Sequence, residues 1–121
     1  WLHAGEKIDM VIDIEPDELA MDIPHDKRLQ VLDVRKQAEF EAGHVRGAIN
    51  VPLHTLTDVV NVANIDDENN LYIHCAGGYR SVIAASLLKR HGYHNMRNVL
   101  GGFAKMKEVK AMPVVYPEGV K

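Results

Sequence analysis

Cys75 is the only cysteine of the chain, and it stands in IHCAGGYRSV, residues 73–82. Two glycines, Gly77 and Gly78, follow it closely, then Tyr79, Arg80 and Ser81. These types at this spacing suit nucleophilic chemistry through sulfur. A thiolate is both nucleophile and anion, and its pKa falls below the free value of about 8.5 when it sits at a helix N-terminus. Glycines let a loop curl around the sulfur through backbone angles closed to other residues. The amides of residues 76–81 would then point inward, and the first-turn amides of a following helix would add their dipole. Such a ring of donors holds an anion: the thiolate itself, or a charged group on a substrate. Arg80 would supply a fixed charge and planar donors for that group. A lone core cysteine is otherwise a small inert hydrophobe. The paired glycines, the arginine and the setting between a strand and a helix argue against that here.

Such a thiol needs a rigid scaffold, and the pattern along the chain is one of strands alternating with helices. DMVIDI (9–14) is a β-branched strand, followed by Glu15-Pro16-Asp17-Glu18, a helix start with proline and acids in the first turn, running to about Ile23. LQVLDV (29–34) is a second strand, and KQAEFEAG (36–43) a short helix closed by Gly43. In HVRGAINVPL (44–53) the apolar centre from Ala48 to Val51 reads as a third strand, stopped by Pro52. Leu56, Val59, Val60 and Ala63 have helical spacing. LYIHC (71–75) is the near-continuous apolar strand that a parallel sheet buries on both faces. A helix over 80–91, a strand over 95–100, a Gly101-Gly102 turn and a helix over 103–110 complete the chain. The expected fold is a compact α/β domain with a mainly parallel central sheet. Sites in such sheets lie at the carboxyl ends of strands, where Cys75 falls.

Composition narrows the functions. At 121 residues, 46% hydrophobic and 26% charged, the chain is an ordinary globular domain. A net charge of −3 with scattered Lys and Arg offers no basic face for nucleic acid. No apolar run approaches the roughly 20 residues of a membrane helix, and no signal-peptide layout opens the sequence. With one cysteine no internal disulfide forms, and a cytoplasmic location is expected. His91 and His94 have ligand-like spacing but no acidic or Cys partner nearby, so no metal is expected. His74, inside an apolar strand, reads as a hydrogen-bonded core histidine rather than a base.

Three stretches, LDVRKQAEFEAGHVRGAINVPL (32–53), HCAGGYRS (74–81) and VLGGF (99–103), together resemble the rhodanese sulfurtransferase domain in order and separation. The resemblance covers about residues 10–115. It implies a three-layer fold with a five-stranded sheet and helices on both faces, and passage of a sulfane sulfur through a cysteine persulfide, with no cofactor. By position Cys75 corresponds to the sulfur-accepting cysteine and Ala76, Gly77, Gly78, Tyr79 and Arg80 to the active-site loop, with Ser81 beside it. Asp33 and Arg35 correspond to the family's Asp-x-Arg, read here as structural charges, and His44 in GHVRGA as part of the frame.

Loop length separates the chemistries that remain open. Related cysteine phosphatases place five residues between Cys and Arg, a loop wide enough for tetrahedral phosphate. Here there are four, Ala76 to Tyr79, a smaller cradle suited to a sulfur atom carried on the cysteine. Thiolate attack on a thiosulfate- or persulfide-type donor would give a Cys75 persulfide, which a thiol or cyanide-type acceptor would relieve of its sulfur. Thiosulfate-specific members of the family carry cations inside the loop, whereas only Arg80 is charged here. That favours an uncharged or mixed donor such as a small persulfide, with Tyr79 as an apolar wall. The alternatives are a catalytically idle rhodanese-fold binding module and, behind it, a phosphatase or arsenate reductase. WLHAGEKI (1–8) resembles the tail of a preceding domain of the same kind or a linker, with residues 9–121 as one domain. Similar domains occur fused to metallo-β-lactamase-fold persulfide dioxygenases, so an upstream rhodanese or hydrolase-fold domain in the same chain is the partner this resemblance implies.

Overall fold

The computed structural model describes residues 12–63, 65–66, 68–77, 80–93 and 95–116, and of Val59 and Asn61 the backbone only. Strand β1 spans Ile12–Ile14, and helix α1 (Pro16–Asp22) follows with Pro16 in its first turn. Next come β2 (Leu29–Asp33), α2 (Gln37–Ala42), β3 (His44–Val45) and β4 (Ile49–Asn50). A 3-10 turn at Leu53–Thr55 leads to α3 (Val59–Ala63) and β5 (Asn70–His74). The chain continues through α4 (Arg80–Arg90), β6 (Met96–Val99), α5 (Gly102–Met106) and β7 (Val114–Val115).

Five strands form one sheet in the order β1-β6-β5-β2-β4, and every pairing in it is parallel. Period-two alternation explains why both faces are covered. On β5, Leu71 and Ile73 point with Cys75 into a cluster that includes Leu32, Ala84, Ala85 and Leu88, while Tyr72 points to the other face with Val31, Leu19 and Met106. Helix α4 supplies the first face through Ser81, Ala84, Ala85 and Leu88, the one-sided spacing of an amphipathic helix. Helices α1 and α5 cover the second through Leu19, Ala20 and Met106.

Five expectations change in detail. The third strand is shorter than 48–51, and His44–Val45 instead pairs antiparallel with Val114–Val115 outside the main sheet, a pairing between distant segments that no local pattern announces. The helix expected from Leu56 begins at Val59, because Leu53–Thr55 first closes a tighter turn with the Thr55 hydroxyl donating to the Pro52 carbonyl at 2.7 Å. The last helix ends at Met106 rather than Lys110, and Arg90 rather than His91 ends α4. Gly43 does end α2, but with extended backbone (φ 164°) rather than the left-handed turn of a usual glycine cap, and a Cβ there would lie 2.9 Å from the Tyr116 ring. Residues 1–8 and the first part of the 9–14 strand lie outside the described residues.

Candidate active site

Cys75 follows the last residue of β5 at the carboxyl edge of the sheet and is 1% exposed. What fixes its backbone is α5. The amide of Phe103 donates to the Cys75 carbonyl at 2.7 Å and that of Ala104 to the Ala76 carbonyl at 3.2 Å. A trans peptide directs its N–H opposite to its C=O. The amides of Ala76 and Gly77 are therefore turned away from α5. Gly102 makes this approach possible: its φ is +60°, and a Cβ on it would stand 2.4 Å from the Cys75 carbonyl oxygen. The expectation that Gly77 serves a strained turn is corrected. Its φ is not in the left-handed region, and among the described residues nothing lies within 4 Å of where its Cβ would be. A glycine in open space permits close approach of a ligand to backbone instead. Gly78 and Tyr79 lie outside the described residues.

Arg80 opens α4, and its guanidinium is held in a fork by Glu39, with Nη1 donating to Oε1 at 2.9 Å and Nη2 to Oε2 at 3.2 Å. Glu39 has a second duty. Lys36 stands at the N-cap of α2 with no acceptor to offer, and its own amide donates to Glu39 Oε1 at 2.9 Å. The Arg80 hydrogen bonds are the main reason the Glu39 carboxyl is held below its usual range, and Glu39 in turn raises the Arg80 guanidinium further. Beside Arg80 opens a recess of about 250 Å³ lined by Val34, Lys36, Pro52, Leu53, His54 and Arg80. Its floor is apolar and its three titratable neighbours are all basic. Arg80 is the only charge that loop spacing suggests, and the fold adds Lys36 and His54 from two other segments.

Behind the thiol lies a buried polar frame. Asp33 and Arg35 are 0% and 5% exposed, and the Arg35 Nη2 donates to Asp33 Oδ2 at 2.7 Å and to the Gly43 carbonyl at 2.6 Å. The guanidinium carbon lies 4.2 Å from the centre of the Phe103 ring, so the pair ties β2, α2 and α5 together. His74 is wholly buried. Its Nδ1 faces the Cys75 carbonyl at 3.3 Å, and its Nε2, 3.6 Å from Asp33 Oδ2, has no hydrogen-bond partner among the described residues. Desolvation outweighs the Asp33 charge and lowers the His74 pKa, which keeps the ring neutral at ordinary pH. His44 belongs to a different contact set: Nδ1 faces the Phe40 carbonyl at 2.8 Å and the ring stacks on Phe40. Ser81, in the first turn of α4, is fully buried, and Cys75 Sγ lies 3.8 Å from its hydroxyl. His94 lies outside the described residues, so the spacing of His91 and His94 is not resolved into a site. Among the described residues, no group of three or more His, Cys, Asp or Glu could hold a metal ion.

Residues 15–109 match the model of the rhodanese-like domain. The chain belongs to this family. YrkF of Bacillus subtilis, whose name proposes a sulfur carrier, is 32% identical over 100 residues, covering 83% of this chain and 53% of that protein. The chain thus spans about half the length of this relative. A protein of Allochromatium vinosum named sulfurtransferase is 27% identical over 91% of this chain and 100% of its own length. The crystal structure of a rhodanese-like domain protein from Staphylococcus aureus superposes with a TM-score of 0.71 at 29% identity, covering 92% of this chain and 97% of that one. The five-stranded parallel sheet with flanking helices is the rhodanese fold. Among the described residues no helix is long and apolar enough to cross a membrane.

Sequence reasoning does not find Glu39, Lys36 or His54, nor Asn98, whose Oδ1 accepts from the Ser81 hydroxyl, nor Asp13, whose Oδ1 accepts from Asn98 Nδ2. Glu39 leaves one local trace, an acid three residues into a helix whose cap position holds a lysine. Its partner Arg80 is 41 positions away. The rest come together only through the order of strands.

Proposed function

We propose that the chain is a rhodanese-type sulfurtransferase in which Cys75 carries the transferred sulfur. The observation that supports this best is the backbone at the thiol: both carbonyls of the 75–76 segment are engaged by α5, which turns the amides of Ala76 and Gly77 away from that helix. The Cys75 thiolate attacks the outer sulfur of a thiosulfate- or persulfide-type donor. A new S–S bond forms on Cys75, the donor's S–S bond breaks, and sulfite or a thiolate leaves with the electron pair. A thiol or cyanide acceptor then attacks the outer sulfur and restores the Cys75 thiolate. Amides of residues 76–81 stabilise the charge on the outer sulfur. The recess beside Arg80 has an apolar floor and a rim of Lys36, His54 and Arg80, which suits a small donor with one anionic end. Asp33, Arg35 and His44 hold the frame and do not touch the reacting atoms.

A second reading, a binding module that performs no chemistry within a larger protein, draws support from two facts. Cys75 is almost fully covered, and both Nη atoms of Arg80 are bound to Glu39. Thiocyanate formation from cyanide with thiosulfate or a small persulfide separates the two. The expected result is turnover that vanishes in Cys75→Ser, with no hydrolysis of an aryl phosphate. Equal rates in the natural protein and Cys75→Ser would favour the binding module, and Cys75-dependent aryl phosphate hydrolysis would favour a phosphatase.

A further inference from the structure

We propose that Asp13 and Asn98 are positioning residues for the thiol: through the Asn98 amide, Asp13 turns the Ser81 hydroxyl away from the sulfur, so that Ser81 accepts a hydrogen bond from Cys75 and donates none to it. The inference rests on the reading of Cys75 as the reacting group.

Four side chains carry it, one each from β1, β6 and α4 and the fourth just past the end of β5. Asp13 on β1 and Asn98 on β6 are register partners in the sheet. The Asn98 Nδ2 donates to Asp13 Oδ1 at 3.1 Å, the Ser81 hydroxyl donates to Asn98 Oδ1 in a short contact, and the Cys75 thiol lies 3.8 Å from the Ser81 oxygen. Ser81 and Asn98 are both buried, so water does not substitute freely for either partner. The direction of the chain follows from proton counting. An ionised carboxylate is acceptor only, so it faces the NH₂ of the amide and not its oxygen. The amide oxygen then faces Ser81, whose hydroxyl has one proton to give and gives it there. Toward Cys75, Ser81 presents lone pairs. These suit an S–H and do nothing for a thiolate. Flipping the amide would set two oxygens against each other at Asp13.

Removing the Asp13 carboxylate lifts that constraint. The amide can then turn its NH₂ to the Ser81 oxygen, and the freed hydroxyl proton can point at the sulfur. A new donor to the thiolate favours its formation. Among the described residues the other charged or titratable groups near the sulfur are Arg80 with Glu39, His74, and the Asp33–Arg35 pair, and the substitution touches none of them. Asp13 is exposed on an edge strand, so its loss leaves the core packing intact.

The test is the pH dependence of Cys75 alkylation by iodoacetamide in the natural chain, Asp13→Ala, Ser81→Ala and the double variant. Asp13→Ala is expected to lower the midpoint by roughly one pH unit, equivalent to about 1.4 kcal/mol. In the Ser81→Ala background the same change is expected to have no effect, because there is no hydroxyl left to turn. Asp13→Ser, whose hydroxyl accepts or donates, should shift the midpoint in the same direction and serves if the alanine variant folds poorly. An unchanged or raised midpoint in Asp13→Ala overturns the proposal. So does a shift of equal size without Ser81, which would reduce the effect to the field of a lost carboxylate. Alkylation reads the thiol directly, so absent sulfur transfer in the natural protein would count against the sulfurtransferase reading and leave this measurement standing.

Discussion

Replacing Gly102 by alanine should unseat the active-site loop from a distance. Gly102 adopts φ +60°, where an L-residue with a Cβ costs about 1–2 kcal/mol. The added methyl would also lie 2.4 Å from the Cys75 carbonyl oxygen and 2.7 Å from the Ala76 carbonyl carbon. Both neighbours are backbone, so no side chain can rotate out of the way, and overpacking of this kind costs about 1–3 kcal/mol. Relief by moving α5 outward would stretch the Phe103 and Ala104 hydrogen bonds that orient the 75–76 carbonyls. Relaxation exchanges overlap for lost bonds, so the terms are not added twice, and the expected loss is roughly 2–5 kcal/mol. Against a total stability of about 5–15 kcal/mol that is a large fraction. Urea unfolding measures it, and iodoacetamide alkylation of the still-folded fraction measures the loop. The variant should be destabilised and its Cys75 reactivity changed. A loss below about 1 kcal/mol with unaltered alkylation would refute the argument that contact with α5 sets the thiol's backbone.

Three further outcomes follow from the same geometry. Arg35→Leu leaves Asp33 as an unpaired buried charge and should cost about 3–5 kcal/mol in denaturant unfolding; a near-neutral result would mean that water or another cation reaches Asp33. His74 has a lowered folded pKa, so below the unfolded value of 6.5 the unfolded chain binds its proton first and stability falls with acidification, by up to about 1.4 kcal/mol per pH unit; above 6.5 this contribution is flat, and His74→Phe should remove that part of the acid slope. Arg80→Ala should lower transfer from thiosulfate by about 10- to 100-fold, the worth of one hydrogen bond to a charged group, and Arg80→Lys should not restore it because an ammonium cannot replace the planar fork on Glu39; unchanged rates would assign Arg80 to framing alone.

The parts of the fold that show in the sequence are those with local cause. β5 is legible because four of its residues and Cys75 after it, 71–75, are consecutively buried on two faces, and α4 because its buried positions recur with helical period. Cys75, Arg80 and Ser81 are legible as a group because a strand end, a turn and a helix start bring neighbours in sequence together. Glu39 is not, since its fork with Arg80 depends on β2 and β5 lying side by side. Nor is the 44–45 with 114–115 pairing, made by two-residue strands whose partners lie some seventy positions apart. Asp13 and Asn98 become a pair only because β1 lies beside β6 at the sheet edge, 85 positions distant along the chain. Gly77 shows the opposite error: its type suggests a strained turn, whereas its backbone uses no such angle.

The central claim is that Cys75 accepts a sulfur atom. Mass spectrometry of the intact chain and of its peptides, after incubation with thiosulfate or a small persulfide, tests it most directly. The account predicts a gain of one sulfur atom on the peptide that carries Cys75, removed by cyanide or a thiol and absent in Cys75→Ser. No adduct with several donors, or an adduct that persists in Cys75→Ser, would contradict it.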